Sequence, residues 1–123
     1  MTKPEKAATF PDFWHKSILK KQADQEKMRI VVLRQTEEAL NRLEKKYQWD
    51  EAYLFGSIIL EGRFRPDSDI DIAVQGLNKN DYYEFIGEIS ELLNKRVDVV
   101  LLDECRFGPF IKEKGIKWNR KNR

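Results

Sequence analysis

The feature that most constrains the fold is a short segment in which aspartate alternates with apolar residues. Residues 68–74 read Ser-Asp-Ile-Asp-Ile-Ala-Val. In a β-strand, residues two apart point to the same face. Asp69 and Asp71 therefore share one face, on the order of 7 Å apart at their Cα atoms, while the two isoleucines and Val74 share the other. The apolar face predicts a strand that packs on a core and presents both carboxylates on its opposite side.

Two carboxylates on one face of a strand suit a hard divalent cation. Asp69 and Asp71 would repel each other at this spacing, and a cation relieves that repulsion. Ligands that are all oxygen favour Mg²⁺ or Mn²⁺. Aspartate is depleted in strands, so a pair inside an apolar run favours a functional role. The alternative, a solvated pair on an edge strand, stays open from this pattern alone.

A third carboxylate, Asp98, lies in the apolar run of residues 97–102. If this run forms a strand beside residues 69–74, Asp98 can reach the same site. Three carboxylates can hold two metal ions, and one of them can take the proton from an attacking hydroxyl. Taken alone, Asp98 is better explained as an edge aspartate. Asp103 is a weaker candidate because it falls at the predicted end of the strand.

Gly56 and Ser57 follow a predicted strand and begin a predicted helical turn. Glycine allows a close approach of the backbone to a phosphate, and free N–H groups at a helix start, with the Ser57 hydroxyl, can donate to it. An ordinary turn has the same pattern, so this signal depends on the aspartates that follow. Arg63 and Arg65 lie in the intervening loop, where they can contact a triphosphate or be solvated.

The first 50 residues predict an arm and a long helix. Residues 1–20 form an arm with a short helix from about Pro11, where proline suits a first helical turn. Residues 24–46 contain no glycine or proline and carry apolar residues at helical spacing, which predicts a long amphipathic helix.

The rest of the chain alternates strands and helices. The predicted elements are a strand over 51–55, a helical turn over 57–61, a strand over 69–74, a helix capped by Asn78 or Asn80, a strand over 97–102, a short helix from about Gly108 and a basic tail from Lys112. This order predicts an α/β (α+β) fold in which helices pack on a small mixed sheet.

Composition narrows the class of protein. The 123 residues fit one domain, and the net charge of +2 does not argue for a nucleic-acid partner. Residues 51–103 carry a balance of −6 between basic flanks of +3 and +5. Cys105 is the only cysteine, which excludes an internal disulfide and fits a reducing compartment. We find no apolar run long enough for a membrane span and no signal peptide, so a cytoplasmic protein is expected.

Together these motifs resemble the signature of the polymerase-beta-type nucleotidyltransferase superfamily. Leu-Phe-Gly-Ser at residues 54–57, Gly62, and Ser-Asp-Ile-Asp at residues 68–71 carry the resemblance, and the short length resembles the minimal nucleotidyltransferase branch. Asp98 stands where the family places its third carboxylate. Residues 111–118 resemble the family's C-terminal helix and closing segment. Eleven residues separate Ser57 from Asp69, one more than is usual in the family, with the extra residue between Ser57 and Gly62, and Glu61 stands where many members have arginine.

The resemblance implies an activity and a set of roles. Asp69, Asp71 and Asp98 would bind Mg²⁺ or Mn²⁺, with Asp98 assisting deprotonation, and Gly56 and Ser57 would hold the triphosphate of ATP or another NTP. Arg63 and Arg65 would join them in nucleotide binding. The domain division would be an arm and helix over 1–48, a minimal nucleotidyltransferase core over 49–118 and a basic tail over 119–123.

The resemblance also suggests the acceptor. Many minimal members work beside a helical HEPN-type protein, as the antitoxin of a toxin–antitoxin pair, and some transfer AMP to that partner. We therefore expect a protein adenylyltransferase that acts on a HEPN-type partner, with nucleic acid not expected as direct substrate and with homo- or hetero-oligomers both open. The alternative is a catalytically weak or inactive nucleotidyltransferase-fold binding module that acts by docking on its partner.

Overall fold

The structure, a computed structural model, describes residues 3–120, with side chains described from residue 12 onward. Its elements, in chain order, are α1 (Lys3–Leu43), β1 (Glu51–Phe55), β2 (Ile70–Gln75), α2 (Tyr82–Leu93), β3 (Val97–Leu101), α3 (Gly108–Lys114) and β4 (Ile116–Trp118). Short 3₁₀ turns follow β1, precede α2 and follow β3. The expected fold, a small mixed sheet with packed helices and a long N-terminal helix, is confirmed.

The four strands form one sheet in the order β3-β2-β1-β4. β1 pairs antiparallel with both β2 and β4, whereas β2 and β3 are parallel because α2 carries the chain between them. β3 is an edge strand of this sheet. The side chains that β3 presents on its outer face are therefore approachable from the open edge.

The two faces of the sheet are covered unequally. On one face, α1 and α2 enclose the main core, which includes fully buried Leu40, Ile72 and Phe85. The opposite face carries a small cluster built on Tyr53 and Ala73 with residues from the segment after β3. The aspartate face of β2 lies on this second, less covered side, as the alternation of Asp71 with Ile70 and Ile72 predicts.

The N-terminal helix differs from the expectation. An arm, a short helix from about Pro11 and a separate helix over 24–46 were predicted, but α1 is one helix of 41 residues, about 60 Å long. Proline removes one backbone hydrogen bond, and the absence of glycine from 3 to 43 lets the helix continue across it.

The first half of α1 projects from the sheet. Every side chain over 12–24 is exposed, including those of Phe13, Trp14 and Ile18. Core contacts begin at Met28. No helix within residues 3–120, α1 included, combines the length and the apolar character that a bilayer span requires.

The C-terminal segment also differs from the expectation. A basic tail was predicted from Lys112, but α3 continues to Lys114 and β4 then pairs with β1, as the resemblance of residues 111–118 to the family's C-terminal helix and closing segment implied. Trp118 anchors this strand: its ring lies 5.3 Å from that of Trp49 and its Nε1 donates to Oδ1 of Asn41 at 2.9 Å. The lysines of this segment gave no sequence pattern typical of a strand. The contacts that stabilise β4 come from residues that are remote along the chain.

Truncation of Leu40 tests the packing of α1 on the sheet. Leu40→Ala should lower the free energy of unfolding by about 2–5 kcal/mol, because a fully buried leucine leaves a cavity. Urea denaturation followed by circular dichroism measures the change. Val31→Ala, on an exposed site of the same helix (51% exposed), is the control and should change it by less than about 0.5 kcal/mol. Equal losses in both variants would contradict this packing.

Candidate active site

The candidate site is built on the parallel pairing of β2 and β3. Asp71 lies directly opposite Asp98 in the register of these two strands. Both side chains are on the face away from the main core, since Ile70, Ile72 and Val97 are buried on the other face. The neighbouring strands on which the three-carboxylate hypothesis depends are therefore confirmed.

The turn after β1 lies against the same carboxylate. Phe55, the last residue of β1, pairs with Asp71, so the chain enters the turn of residues 56–62 beside this aspartate. Gly56 has a φ of +77°, and a Cβ placed on it would overlap Oδ2 of Asp71 and lie 3.1 Å from its Cγ. Only glycine suits this position, because it tolerates left-handed backbone and leaves room for the carboxylate.

The carboxylates influence one another electrostatically. The pKa of Asp71 is raised above its ordinary value of 3.8, first because the side chain is partly buried and then because Asp98 and Asp69 bring like charge near it. The Asp71 carboxylate is half-buried, whereas Asp98 is exposed on the edge strand. The site therefore concentrates negative charge around a group that is poorly solvated.

Asp69 lies one residue before β2 and has a basic neighbour. Its Oδ2 is 3.9 Å from Nε of Arg96, in an ion pair that is well exposed to solvent. Such pairs contribute little to stability. Asp69 is therefore free to exchange this partner for another cation at small cost.

The donor set fits a hard divalent cation in its chemistry. Carboxylate oxygens are the ligands that Mg²⁺ and Mn²⁺ take, and the three aspartates already couple electrostatically. Within residues 3–120, however, no three His, Cys, Asp or Glu side chains lie close enough to hold one ion together. Shared coordination would need the aspartate side chains to rotate towards one another.

The two loop arginines lie at the far end of the turn. Arg63 is exposed, and its backbone N–H donates to the carbonyl of Leu60 at 3.1 Å. Arg65 lines a cleft of about 690 Å³ between α1 and the turn, together with Lys21 and Glu26. Among the described residues that line this cleft there is none of the three aspartates. A role in nucleotide binding stays a prediction for both arginines.

Two residues near the site were missed by the sequence analysis. Tyr82 is the first residue of α2, and its hydroxyl donates to the Val99 carbonyl at 2.6 Å. Its pKa is raised by burial and by the nearby charges of Tyr83 and Asp98. Arg96, the second of these residues, immediately precedes β3 and pairs with Asp69. Its position directly before the predicted strand that contains Asp98 could have indicated that it lies near the site.

One of the comparisons with known proteins shows a family. The profile of the family described as "Polymerase beta, Nucleotidyltransferase" matches residues 37–117. The search of curated proteins gives no match for this sequence. One similar solved structure is described as "Crystal structure of the toxin-antitoxin with AMP-PNP": 25% identity, TM-score 0.58, 70% of this chain and 74% of that chain. A second, described as a toxin–antitoxin "MntA-HepT", has 22% identity, a TM-score of 0.50 and 71% coverage of each chain, and supports the fold alone.

Neutralising Asp71 should stabilise the free protein. In buffer with EDTA at pH 7, we expect Asp71→Asn to raise the free energy of unfolding, because it removes a partly buried charge that Asp98 and Asp69 repel. Since the folded pKa is raised, the penalty is present above that pKa and disappears as the pH falls below 3.8, so the two proteins should converge there.

Asp67→Asn is the matched control for this measurement. Asp67 is exposed in the loop before β2, and its neutralisation should change the free energy of unfolding by less than about 0.5 kcal/mol. Urea denaturation at a series of pH values measures both. An Asp71→Asn variant that is less stable than the wild type at pH 7 would contradict the electrostatic account.

Proposed function

Because the chain belongs to the polymerase-beta nucleotidyltransferase family, we propose that it transfers AMP from ATP to an acceptor hydroxyl in a reaction that depends on a divalent metal. One observation carries the proposal: Asp71 lies opposite Asp98 across two parallel strands and directly beside Gly56. Two of the carboxylates thus lie beside the turn that was predicted to bind phosphate. The AMP-PNP in a similar toxin–antitoxin structure supports ATP as the donor.

The residues that would hold the metal are Asp69, Asp71 and Asp98. When bound, Mg²⁺ or Mn²⁺ neutralises the charge that develops on the phosphates during transfer. Because Asp71 is half-buried and Asp98 exposed, Asp71 would face the inner side of this site and Asp98 the side from which an acceptor arrives.

The remaining steps belong to the chain's own residues. The backbone of Gly56 and the hydroxyl of Ser57 would bind the β- and γ-phosphates, and Arg63 and Arg65 would contribute positive charge. Asp98 would take the proton from the acceptor hydroxyl. The acceptor oxygen then forms a bond to the α-phosphorus, the bond from that phosphorus to the bridging oxygen breaks, and pyrophosphate leaves. The protein contributes mainly position and charge.

We propose that the acceptor is a hydroxyl of a HEPN-type partner protein and that this chain acts as its antitoxin. The description of a 25%-identical structure as a toxin–antitoxin supports such a pairing. The exposed position of Asp98 on an edge strand also supports a macromolecular acceptor, because a large partner can approach it without passing through a closed pocket.

The second candidate is a docking module with the same fold and without transfer. It is favoured by one observation: within the described chain, no three carboxylates are gathered around a common point. In that case the chain would act on its partner by binding alone, and the aspartates would not affect the outcome.

Labelled ATP distinguishes the two candidates. With ATP labelled on its α-phosphate, Mg²⁺ and a HEPN-type partner from the same source, the wild type should label the partner, and Asp69→Asn/Asp71→Asn should not. Asp98→Asn should reduce the rate by about 10²–10⁴-fold, as expected for loss of a general base. Asp67→Asn should label as the wild type does. No label with the wild type would contradict the transfer reaction, and label that persists in Asp69→Asn/Asp71→Asn would contradict the site assigned to it.

Gly56 and Gly62 form a matched pair that tests the turn. Both have left-handed backbone, with φ of +77° and +79°, but a Cβ on Gly62 would meet nothing within 4 Å. Alanine at either site should therefore cost a similar backbone strain of about 1–2 kcal/mol. Only Gly56→Ala should also displace Asp71.

We expect Mg²⁺–ATP to raise the Tm of the wild type and of Gly62→Ala, and to leave that of Gly56→Ala unchanged. Thermal unfolding with and without Mg²⁺–ATP measures this stabilisation by binding. An equal response in both alanine variants would show that the close approach of Gly56 to Asp71 does not matter for nucleotide binding.

A further inference from the structure

The long helix α1 reaches the turn of residues 56–62 through one side chain. Nη1 of Arg29 donates to the carbonyl oxygen of Ile58 at 2.9 Å, across 29 positions of sequence. Ile58 belongs to the 3₁₀ turn Gly56–Ile59, and its own side chain is fully buried in the main core. So short a helical turn leaves carbonyls without backbone partners, and Arg29 satisfies one of them.

Arg29 is itself held in place by Glu26. Its Nε donates to both carboxylate oxygens of Glu26, at 3.0 and 3.1 Å, and its Nη2 donates to Oε2 at 2.5 Å. The two side chains are only 14% and 26% exposed, unlike those of the solvated pair Lys16–Asp12 on the first half of α1. Charge-assisted hydrogen bonds of this kind fix the guanidinium plane as well as its position.

The same pair touches the far end of the turn. The pKa of Glu26 is lowered, mainly by the hydrogen bond from Arg29 and additionally by the backbone N–H of Gly62. Glu61 adds negative charge that acts on Arg29. The pair thus donates a hydrogen bond to the turn near its start, at Ile58, and lies beside its end, where Glu26 and Gly62 line the same cleft.

The part of the turn between Ile58 and Gly62 has few other stabilising contacts. Leu60 and Glu61 are exposed, and Gly62 has left-handed backbone with open space around it. The backbone hydrogen bonds here run from Leu60 to Ser57 and from Arg63 to Leu60, at 3.0 and 3.1 Å. Ile59 still packs against the main core, so residues 60–62 are the part of the turn with few contacts of their own.

We propose that Glu26 and Arg29 are positioning residues for nucleotide binding: they fix the backbone of the 56–62 turn from α1, so that Gly56 and Ser57 remain beside Asp71. The proposal rests on the proposed transferase function, because Gly56 and Ser57 are its phosphate-binding residues. It gives α1 a role in the site although none of its residues lies next to the aspartates in sequence.

The first test needs no activity. Hydrogen exchange of the backbone amides is measured in the wild type, Arg29→Ala and Arg34→Ala, the last being an exposed arginine of the same helix. Loss of Arg29 should raise exchange of the Leu60 and Arg63 amides roughly tenfold, the scale of one hydrogen bond to a charged group. Exchange of the Ile72 amide, in the centre of the sheet, should stay as in the wild type.

We call the support that Glu26 and Arg29 give to the 56–62 turn the brace. Two outcomes of the exchange experiment would overturn it. Unchanged exchange at Leu60 and Arg63 would show that the turn holds its conformation without α1. An equal rise at Ile72 would show that Arg29 stabilises the fold as a whole. Arg34→Ala should leave all three amides unchanged.

The second test connects the brace to the nucleotide. In Arg29→Ala the KM for ATP should rise roughly tenfold with a smaller change in kcat, because a displaced turn already weakens the binding of the β- and γ-phosphates in the substrate, before they leave as pyrophosphate. Arg29→Lys, which keeps the charge and one donor to Ile58, should recover part of this loss. Glu26→Gln should change KM in the same direction by a smaller factor.

The two tests separate failure of the brace from failure of the function. A fall in kcat with KM unchanged, or no recovery in Arg29→Lys, would overturn the positioning role. A wild type that neither binds nor uses Mg²⁺–ATP would overturn the proposed function and the positioning role with it, while the exchange data would still decide whether α1 braces the turn.

Discussion

The site depends on one arrangement that is unfavourable by itself: two aspartates placed opposite each other in neighbouring parallel strands. Like charges at directly paired positions destabilise a sheet, and the raised pKa of Asp71 reflects that repulsion together with partial burial. The remaining side chains of both strands compensate, because Ile70, Ile72 and Val97 are buried against the helices. A stable apolar face thus supports a strained acidic one.

The helices serve this arrangement in different ways. α2 makes the parallel pairing possible, since two parallel strands cannot be joined by a tight turn, and it ends at Asn94 in left-handed backbone that redirects the chain into β3. α1 covers the core with its second half and reaches the 56–62 turn with Arg29. The same helix therefore contributes to the stability of the sheet and to the geometry at its edge.

The parts of the fold that could be predicted from the sequence are those with a strong local pattern. β1, β2 and β3 each consist of a short run of residues that is rich in apolar side chains. The observed bounds of all three strands agree with the predicted bounds to within one residue. The sequence did not predict that Asp71 lies opposite Asp98. That register follows from the parallel pairing of β2 with β3, two strands that are separated along the chain by α2. β4 and the contact from Arg29 to Ile58 were missed for the same reason, because each depends on partners that are remote along the chain. The predicted length of helix α1 was too short, because Pro11 was interpreted as the start of a separate short helix.

The departure of the turn from the family pattern has a physical counterpart in α1. The extra residue between Ser57 and Gly62 lengthens a segment with few contacts of its own, which by itself would increase the number of conformations that the segment can adopt. The hydrogen bond from Arg29 to Ile58 restricts that freedom near the start of the turn, and Glu26 lies beside Gly62 at its end. Glu61, at a position where an arginine would repel Arg29, instead adds a favourable charge. The longer turn and Glu61 are thus consistent with each other, because α1 reaches both of them through Arg29. Support from α1 offsets the greater conformational freedom that the extra residue gives to the turn.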